Sequence, residues 1–226
     1  MLETRHEFRE SLKELERQTL EGLEMVIQQL DRALESVSHL DVELAGMIVA
    51  EDDRVDVRYL EIHQGVLSLL ARQAPVAGDL RIVAALLHMI RCIERMGDQC
   101  VNIAKLVRLS GEEAPKDQEI LDTIERMGRL ASSQASQAKE AFATRNVALA
   151  QHLVRLNGDI ERLNRKIFNR AVDIGDDLEV REWAMFMILV ARCLERTAGN
   201  TIDIAEQTVF VVTGLFRELA DESQPA

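Results

Sequence analysis

The sequence predicts an all-α protein made of two tandem three-helix bundles, with six long antiparallel helices, and three observations support this. Helix-forming residues dominate long stretches, and the 226 residues include only 11 Gly and 3 Pro. Apolar residues recur every three or four positions, which is the helical period. Two segments about a hundred residues apart are similar and indicate an internal repeat. They are CIER at 92–95, with Ile-Ala at 103–104 after it, and CLER at 193–196, with Ile-Ala at 204–205 after it.

The first half predicts three helices. Residues 4–37 carry an amphipathic pattern that begins at Phe8. Asp41 is expected to cap a second helix that continues to Leu70. Pro75 and Gly78 then interrupt the pattern, and a third helix follows over residues 80–107.

The second half repeats this plan after a linker at 110–115, SGEEAP. We therefore predict one repeat over residues 1–112 and another over 113–226. Helices are expected over residues 117–143, 146–172 and 178–219, and a turn at 173–177 takes the place of the Pro75 loop. The tail from 220 onward is expected to fray.

Charge and hydropathy exclude several function classes. The net charge of −12 argues against binding to nucleic acid or to anionic lipid. The amino terminus lacks the apolar core of a secretory signal, and the longest apolar run, 183–191, is too short to span a bilayer. Three cysteines without a framework spacing suit a reducing compartment. These features predict a soluble, cytoplasmic protein without membrane insertion.

Acidic residues at helical spacing suggest a metal site. Glu94 and Asp98 lie four residues apart on the third helix, as do Asp52 and Asp56 on the second. Like charges at this spacing cost stability unless a cation lies among them, and oxygen ligands suit Mg, Mn, Ca or ferric iron rather than zinc. The alternative is that these carboxylates are solvated and pair with nearby arginines.

Other site types have less support. The histidines at 39, 63, 88 and 152 are scattered singly and are expected to be surface or satisfied residues. Cys92 and Cys193 are expected to be small apolar side chains in a helix interface. The sequence shows no Gly-rich phosphate loop, nucleophile elbow or Cys-x-x-Cys motif, and we expect the protein not to be an enzyme.

Two segments resemble the signature of the PhoU family: LARQAPVAGDLR at 70–81 and IERMGDQCVNI at 93–103. The resemblance covers nearly the whole chain. It implies a cytoplasmic adaptor that binds metal clusters through acidic motifs and contacts a phosphate ABC transporter, through its ATPase subunit, and a sensor histidine kinase. Such a protein holds the phosphate-starvation response off when phosphate is plentiful.

The resemblance also implies the metal ligands. In the first repeat they would be Asp52, Asp56, Glu94 and Asp98, with Asn102 in support, around a divalent or ferric ion (Fe, Mn, Mg or Zn). The second repeat departs from the family pattern, because Gly199 stands where a carboxylate is expected. A weaker site there would use the remaining acidic residues Glu161, Glu195 and Asp203.

Two arginines beside Pro75 have two interpretations. Arg72 and Arg81 could form part of a docking surface for the transporter ATPase or the kinase, or contact phosphate. They could instead be structural, with Arg81 paired to a neighbouring carboxylate.

The resemblance thus implies a metal-binding negative regulator of phosphate uptake and phosphate signalling that acts by protein contact. We expect the protein to form a homodimer. Two alternatives stay open at this point: a metal-dependent hydrolase that uses the same carboxylates, and a metal-free helical scaffold.

Overall fold

The computed structural model describes residues 2–51, 53–111 and 116–215, with side chains from residue 5 onward. All regular structure in these ranges is helical, which confirms the predicted all-α class. The helices are α1 (Leu2–His39), α2 (Val42–Ala50), α3 (Asp53–Arg72), α4 (Ala77–Ser110), α5 (Gln118–Thr144), α6 (Val147–Val172) and α7 (Leu178–Thr213).

The second predicted helix is interrupted at Glu51, so the first repeat consists of α1, the α2–α3 pair and α4. Glu51 leaves the helical conformation, at φ −93° and ψ 7°. Its carboxylate accepts hydrogen bonds from Arg32 at 2.7 Å and from Arg54 at 3.3 Å. The restart of the helix places Asp53 and Asp56 in the first turn of α3, where negative charge suits the helix dipole.

Side-chain caps begin several helices where the sequence predicts. The Asp41 carboxylate accepts from the backbone N–H of Leu44 at 2.8 Å, which confirms it as the N-cap of α2. Asp117, Asn146 and Asp177 cap α5, α6 and α7 in the same way.

The predicted end of the last helix at residue 219 is wrong. α7 ends at Thr213 because Gly214 adopts a left-handed conformation, at φ 76°, which stops the helix.

One apolar core runs through both repeats. The third helices of the two repeats, α4 and α7, pack along each other and form the centre of the molecule. The first helices of the two repeats, α1 and α5, also pack along each other. Lys139 of α5 bonds Glu24 of α1 at 2.7 Å, and Arg145 bonds Glu16 at the same distance. The predicted repeat boundary at 112/113 lies outside the described residues.

α4 and α7 are antiparallel, because early residues of one meet late residues of the other. Asp203, late in α7, is near enough to Cys92 of α4 for its charge to affect the thiol. Cys193, earlier in α7, interacts in the same way with Cys100, which lies later in α4. Within the described ranges, no helix has an apolar stretch long enough to cross a membrane.

Candidate functional site

A close approach of α3 and α4 builds the acidic site of the first repeat. A Cβ added at Gly97 would lie 3.1 Å from Cγ1 of Val55, so the backbone of α4 passes directly against this valine. Asp56 follows Val55 on α3, and Glu94 and Asp98 flank Gly97 on α4. The glycine therefore lets the acidic residues of the two helices come near each other.

Glu94 is the electrostatic centre of this group. Burial raises the pKa of its carboxyl, and the charges of Asp98 and Asp56 raise that pKa further. The charges of Arg91 and Arg95 act in the opposite direction but do not compensate. The carboxylates of both helices thus form a region of excess negative charge, which is the electrostatic condition for binding a cation.

The structure brings Asp56, Glu94 and Asp98 close enough for their charges to interact. Asp56 and Asp98 are exposed, whereas Glu94 is half-buried. Asp52, the fourth predicted ligand, lies outside the described residues, and Asn102 is exposed one turn beyond Asp98.

In the second repeat, Glu161 and Glu195 line one surface groove between α6 and α7. Each already has a partner: Asn157 donates to Glu161 at 3.0 Å, and Arg192 bonds Glu195. The groove also contains Arg165, so its charge is more balanced than that of the first repeat.

Asp203, the third acidic residue predicted for the second repeat, does not join this pair. It lies eight residues after Glu195 on α7, which is about 12 Å along the helix axis. Its carboxylate instead lies with His88 and Cys92 of α4. One donor atom from each of these three side chains lies within 4.8 Å of the others, the one such group of His, Cys, Asp and Glu in the described part of the chain.

Sequence reasoning treated His88 as a lone histidine and Cys92 as an apolar side chain. Their spacing of four residues on one helix was the available signal, since it places both side chains on one face. The contribution of Asp203 from a distant helix could be seen only in the folded chain. Burial and the charge of Asp203 raise the pKa of the Cys92 thiol to about 12.

The PhoU domain matches residues 19–107 and 124–208, so each repeat matches one copy. The chain belongs to the PhoU family. This confirms the resemblance seen in the sequence.

Relatives in this family span almost the entire chain. A protein of Clostridium acetobutylicum named phosphate-specific transport system accessory protein PhoU homolog is 32% identical over 96% of this chain and 100% of its own length. A Mycobacterium leprae protein, named as homolog 1 of the same accessory protein, is 27% identical over 96% of this chain and 97% of its own.

Solved PhoU structures have the same fold. The phosphate transport system regulatory protein PhoU from Streptococcus pneumoniae superposes with a TM-score of 0.85 at 26% identity, over 93% of this chain and 99% of its own. PhoU from Pseudomonas aeruginosa gives a TM-score of 0.83 at 22% identity, covering 92% of this chain and all of its own. The second likeness establishes the fold alone.

The two arginines next to the Pro75 loop have different surroundings in this PhoU-family chain. Arg72 is exposed at the end of α3. Arg81 lies against Gly214, at the carboxyl end of α7, where a side chain on the glycine would collide with its guanidinium. A cation suits this end of a helix, so the position of Arg81 supports a structural role.

Proposed function

We propose that this chain is an accessory regulator of a phosphate transport system and acts as a metal-binding adaptor rather than an enzyme. Its partners are the ATPase subunit of a phosphate ABC transporter and a sensor histidine kinase, and it restrains both phosphate uptake and the starvation response. The match of both repeats to the PhoU domain carries the proposal. Relatives named as accessory proteins of phosphate-specific transport, aligned over nearly their full length, support it.

The metal part of the proposal depends on Glu94. A carboxyl whose pKa is raised by burial and by two neighbouring carboxylates is destabilised in its charged form, and a bound cation removes that penalty. Asp56, Glu94 and Asp98 would hold the ion from α3 and α4, together with Asp52. The all-oxygen set suits a hard divalent or ferric ion.

The docking part depends on an exposed apolar face of α3. Val57, Leu60 and Leu67 are each about half exposed, with 52%, 52% and 50% of their surface accessible. Their spacing puts them near one side of the helix. Exposed apolar side chains that share a helix face are typical of a contact surface. Arg72 lies at the end of this helix, and the predicted homodimer would also need such a surface.

Elemental analysis of protein purified without chelator tests metal binding. Glu94→Gln should lose most of the bound Fe, Mn or Mg, because the amide keeps the shape but not the charge. Glu125→Gln is the matched control, since Glu125 lies in an identical IERMG segment on α5 and is followed by Arg129 in place of Asp98. Equal content of these metals in wild type and Glu94→Gln would contradict the assignment of these ligands.

Co-purification from cells grown at high and low phosphate tests the adaptor role. The transporter ATPase should be recovered with the wild-type chain, and Arg72→Glu should reduce the recovery. Arg129→Glu serves as the control, because Arg129 is also exposed and, within the described residues, forms an ion pair with Glu125 alone, at 3.4 Å. Failure to recover either the ATPase or the kinase at both phosphate levels would overturn the proposed function.

A further inference from the structure

His88, Cys92 and Asp203 converge at the interface between the two repeats. His88 and Cys92 lie one turn apart on α4, and Asp203 reaches them from the antiparallel α7. A nitrogen, a sulfur and an oxygen donor come within 4.8 Å of one another there. We propose that these three side chains form a zinc site that joins the repeats, separate from the carboxylate group around Glu94.

The donor set determines the choice of metal. Imidazole, thiolate and carboxylate are the three side-chain ligands of protein Zn²⁺, and three protein ligands with one open position are a known arrangement. A thiolate excludes Mg²⁺ and Ca²⁺, which prefer oxygen. Ligand atoms around a tetrahedral zinc lie about 3–4 Å apart, so small rotamer changes would close the group around an ion.

A zinc ion held by three protein side chains takes a fourth ligand. Glu206 lies one turn beyond Asp203 on α7, and its charge also acts on Cys92. Water or this carboxylate would complete the tetrahedron. His88 is exposed, whereas Cys92 is buried, so an ion would enter from the histidine side.

The internal repeat provides a built-in comparison. Cys92 and Cys193 are equivalent and lie 101 residues apart, and the same offset relates His88 to Leu189 and Asn102 to Asp203. The equivalent place on the other side of the molecule therefore has Leu189, Cys193 and Asn102. The small cysteine needed for packing occurs at both places, as Cys92 and Cys193. The histidine and the aspartate occur only at the first place, as His88 and Asp203. The ligand set is thus not a by-product of the duplicated fold.

Zinc at this place would tie the two repeats together. α4 and α7 form the central contact between the repeats, and ligands from both helices would resist their separation. Because the ion binds the folded arrangement, saturating Zn²⁺ should raise the midpoint of thermal unfolding.

Cobalt spectroscopy of the full-length chain tests the proposal. Metal-stripped protein titrated with CoCl₂ should develop a thiolate-to-cobalt charge-transfer band and the intense visible bands of tetrahedral Co²⁺, saturating at one equivalent. ZnCl₂ should displace the cobalt and remove the bands. Absence of the charge-transfer band in the wild-type protein would overturn the proposal.

The repeat also supplies the variants. His88→Leu and Asp203→Asn introduce the residues of the equivalent positions, and each should weaken cobalt binding at least tenfold. Cys92→Ser should abolish the charge-transfer band, whereas Cys193→Ser should retain it. If Cys92→Ser does not fold, the exposed His88→Leu variant decides the question, provided that its circular dichroism matches wild type. Persistence of the band at wild-type affinity in His88→Leu would contradict the site.

Glu94→Gln separates this site from the proposed carboxylate site. It should leave the charge-transfer band unchanged, because an all-oxygen site cannot produce a thiolate signal. Loss of the band in Glu94→Gln with retention in His88→Leu would contradict a separate site.

Discussion

Arg170 of α6 binds both carboxylate oxygens of Asp117, the residue that caps α5. Its Nε donates to Oδ1 at 3.2 Å and to Oδ2 at 3.1 Å, and its Nη2 donates to Oδ2 at 2.6 Å. The same Oδ1 accepts from the backbone N–H of Ile120 at 3.0 Å. One carboxylate, with only 12% of its side chain exposed, thus begins α5 and attaches it to the end of α6.

Two substitutions at Asp117 should separate these roles. Asn remains a good N-cap but loses the ion pair, so Asp117→Asn should lower the free energy of unfolding by about 1–2 kcal/mol. Asp117→Ala loses both interactions and should cost about 2–4 kcal/mol. Urea denaturation measures both. Asp177 caps α7 with no arginine bound to it in the described contacts, so Asp177→Asn should be close to neutral. Equal costs for the two Asn variants would show that the ion pair contributes nothing.

The same pair should make stability depend on pH. The hydrogen bonds from Arg170 lower the pKa of Asp117 in the folded protein, so folding favours its charged form. This contribution is fully present above the unfolded pKa of about 3.9 and is lost as pH falls through the folded pKa. The stability difference between wild type and Asp117→Asn should therefore be constant above about pH 5 and shrink in acid. If the difference in unfolding free energy between wild type and Asp117→Asn grew as the pH fell, the lowered pKa of Asp117 in the folded protein would be contradicted.

In the metal-free protein, the charge of Glu94 should lower the stability at neutral pH, whereas the charge of Asp117 raises it. Its pKa is raised by burial and by Asp98 and Asp56, so its charged form opposes folding at neutral pH. Glu94→Gln removes that charge and should raise the unfolding free energy by a few tenths of a kcal/mol. Glu125→Gln removes a carboxylate paired with Arg129 and should not stabilise. Chemical denaturation in the presence of EDTA measures both, and destabilisation by Glu94→Gln would contradict the repulsion.

Much of the fold could be predicted from the sequence, because helix periodicity and caps are local. Asp41 caps a helix as expected. The internal repeat predicted two similar halves, and each half matches one copy of the PhoU domain. The break at Glu51 could not be predicted, since it involves Arg32 from another helix. The end of α7 was misplaced because the apolar pattern continues past Gly214.

The site was predictable only where its residues share a helix. Glu94 and Asp98 follow from their spacing of four residues, as Asp56 follows from its spacing to Asp52. The meeting of Asp203 with His88 and Cys92 depends on which residues of α4 and α7 face each other across the repeat interface. No local pattern encodes that register, so the sequence grouped Asp203 with Glu161 and Glu195 instead.

Glycines in three helices should respond differently to alanine, according to the space that each faces. A Cβ at Gly128 would lie less than 3 Å from three side-chain atoms of Leu34 on α1, whereas one at Gly199 would meet nothing within 4 Å. Alanine is favoured over glycine in a helix by about 1 kcal/mol, so Gly199→Ala should stabilise by up to that amount. Gly128→Ala has the same gain in helix propensity, but its Cβ forces Leu34 and α1 away. Its free energy of unfolding should therefore fall by about 1–2 kcal/mol in total.

Gly97→Ala should fall between these two variants. Its Cβ would lie 3.1–3.4 Å from three atoms of Val55, a tight contact with a stiff β-branched side chain. A small movement of α3 would relieve that contact and also move Asp56 away from Glu94, so metal binding should weaken more than stability. Urea denaturation ranks the three variants, and elemental analysis compares their bound metal. If Gly97→Ala retains full metal content while Gly128→Ala loses it, the close approach of α3 and α4 is not what assembles the acidic site.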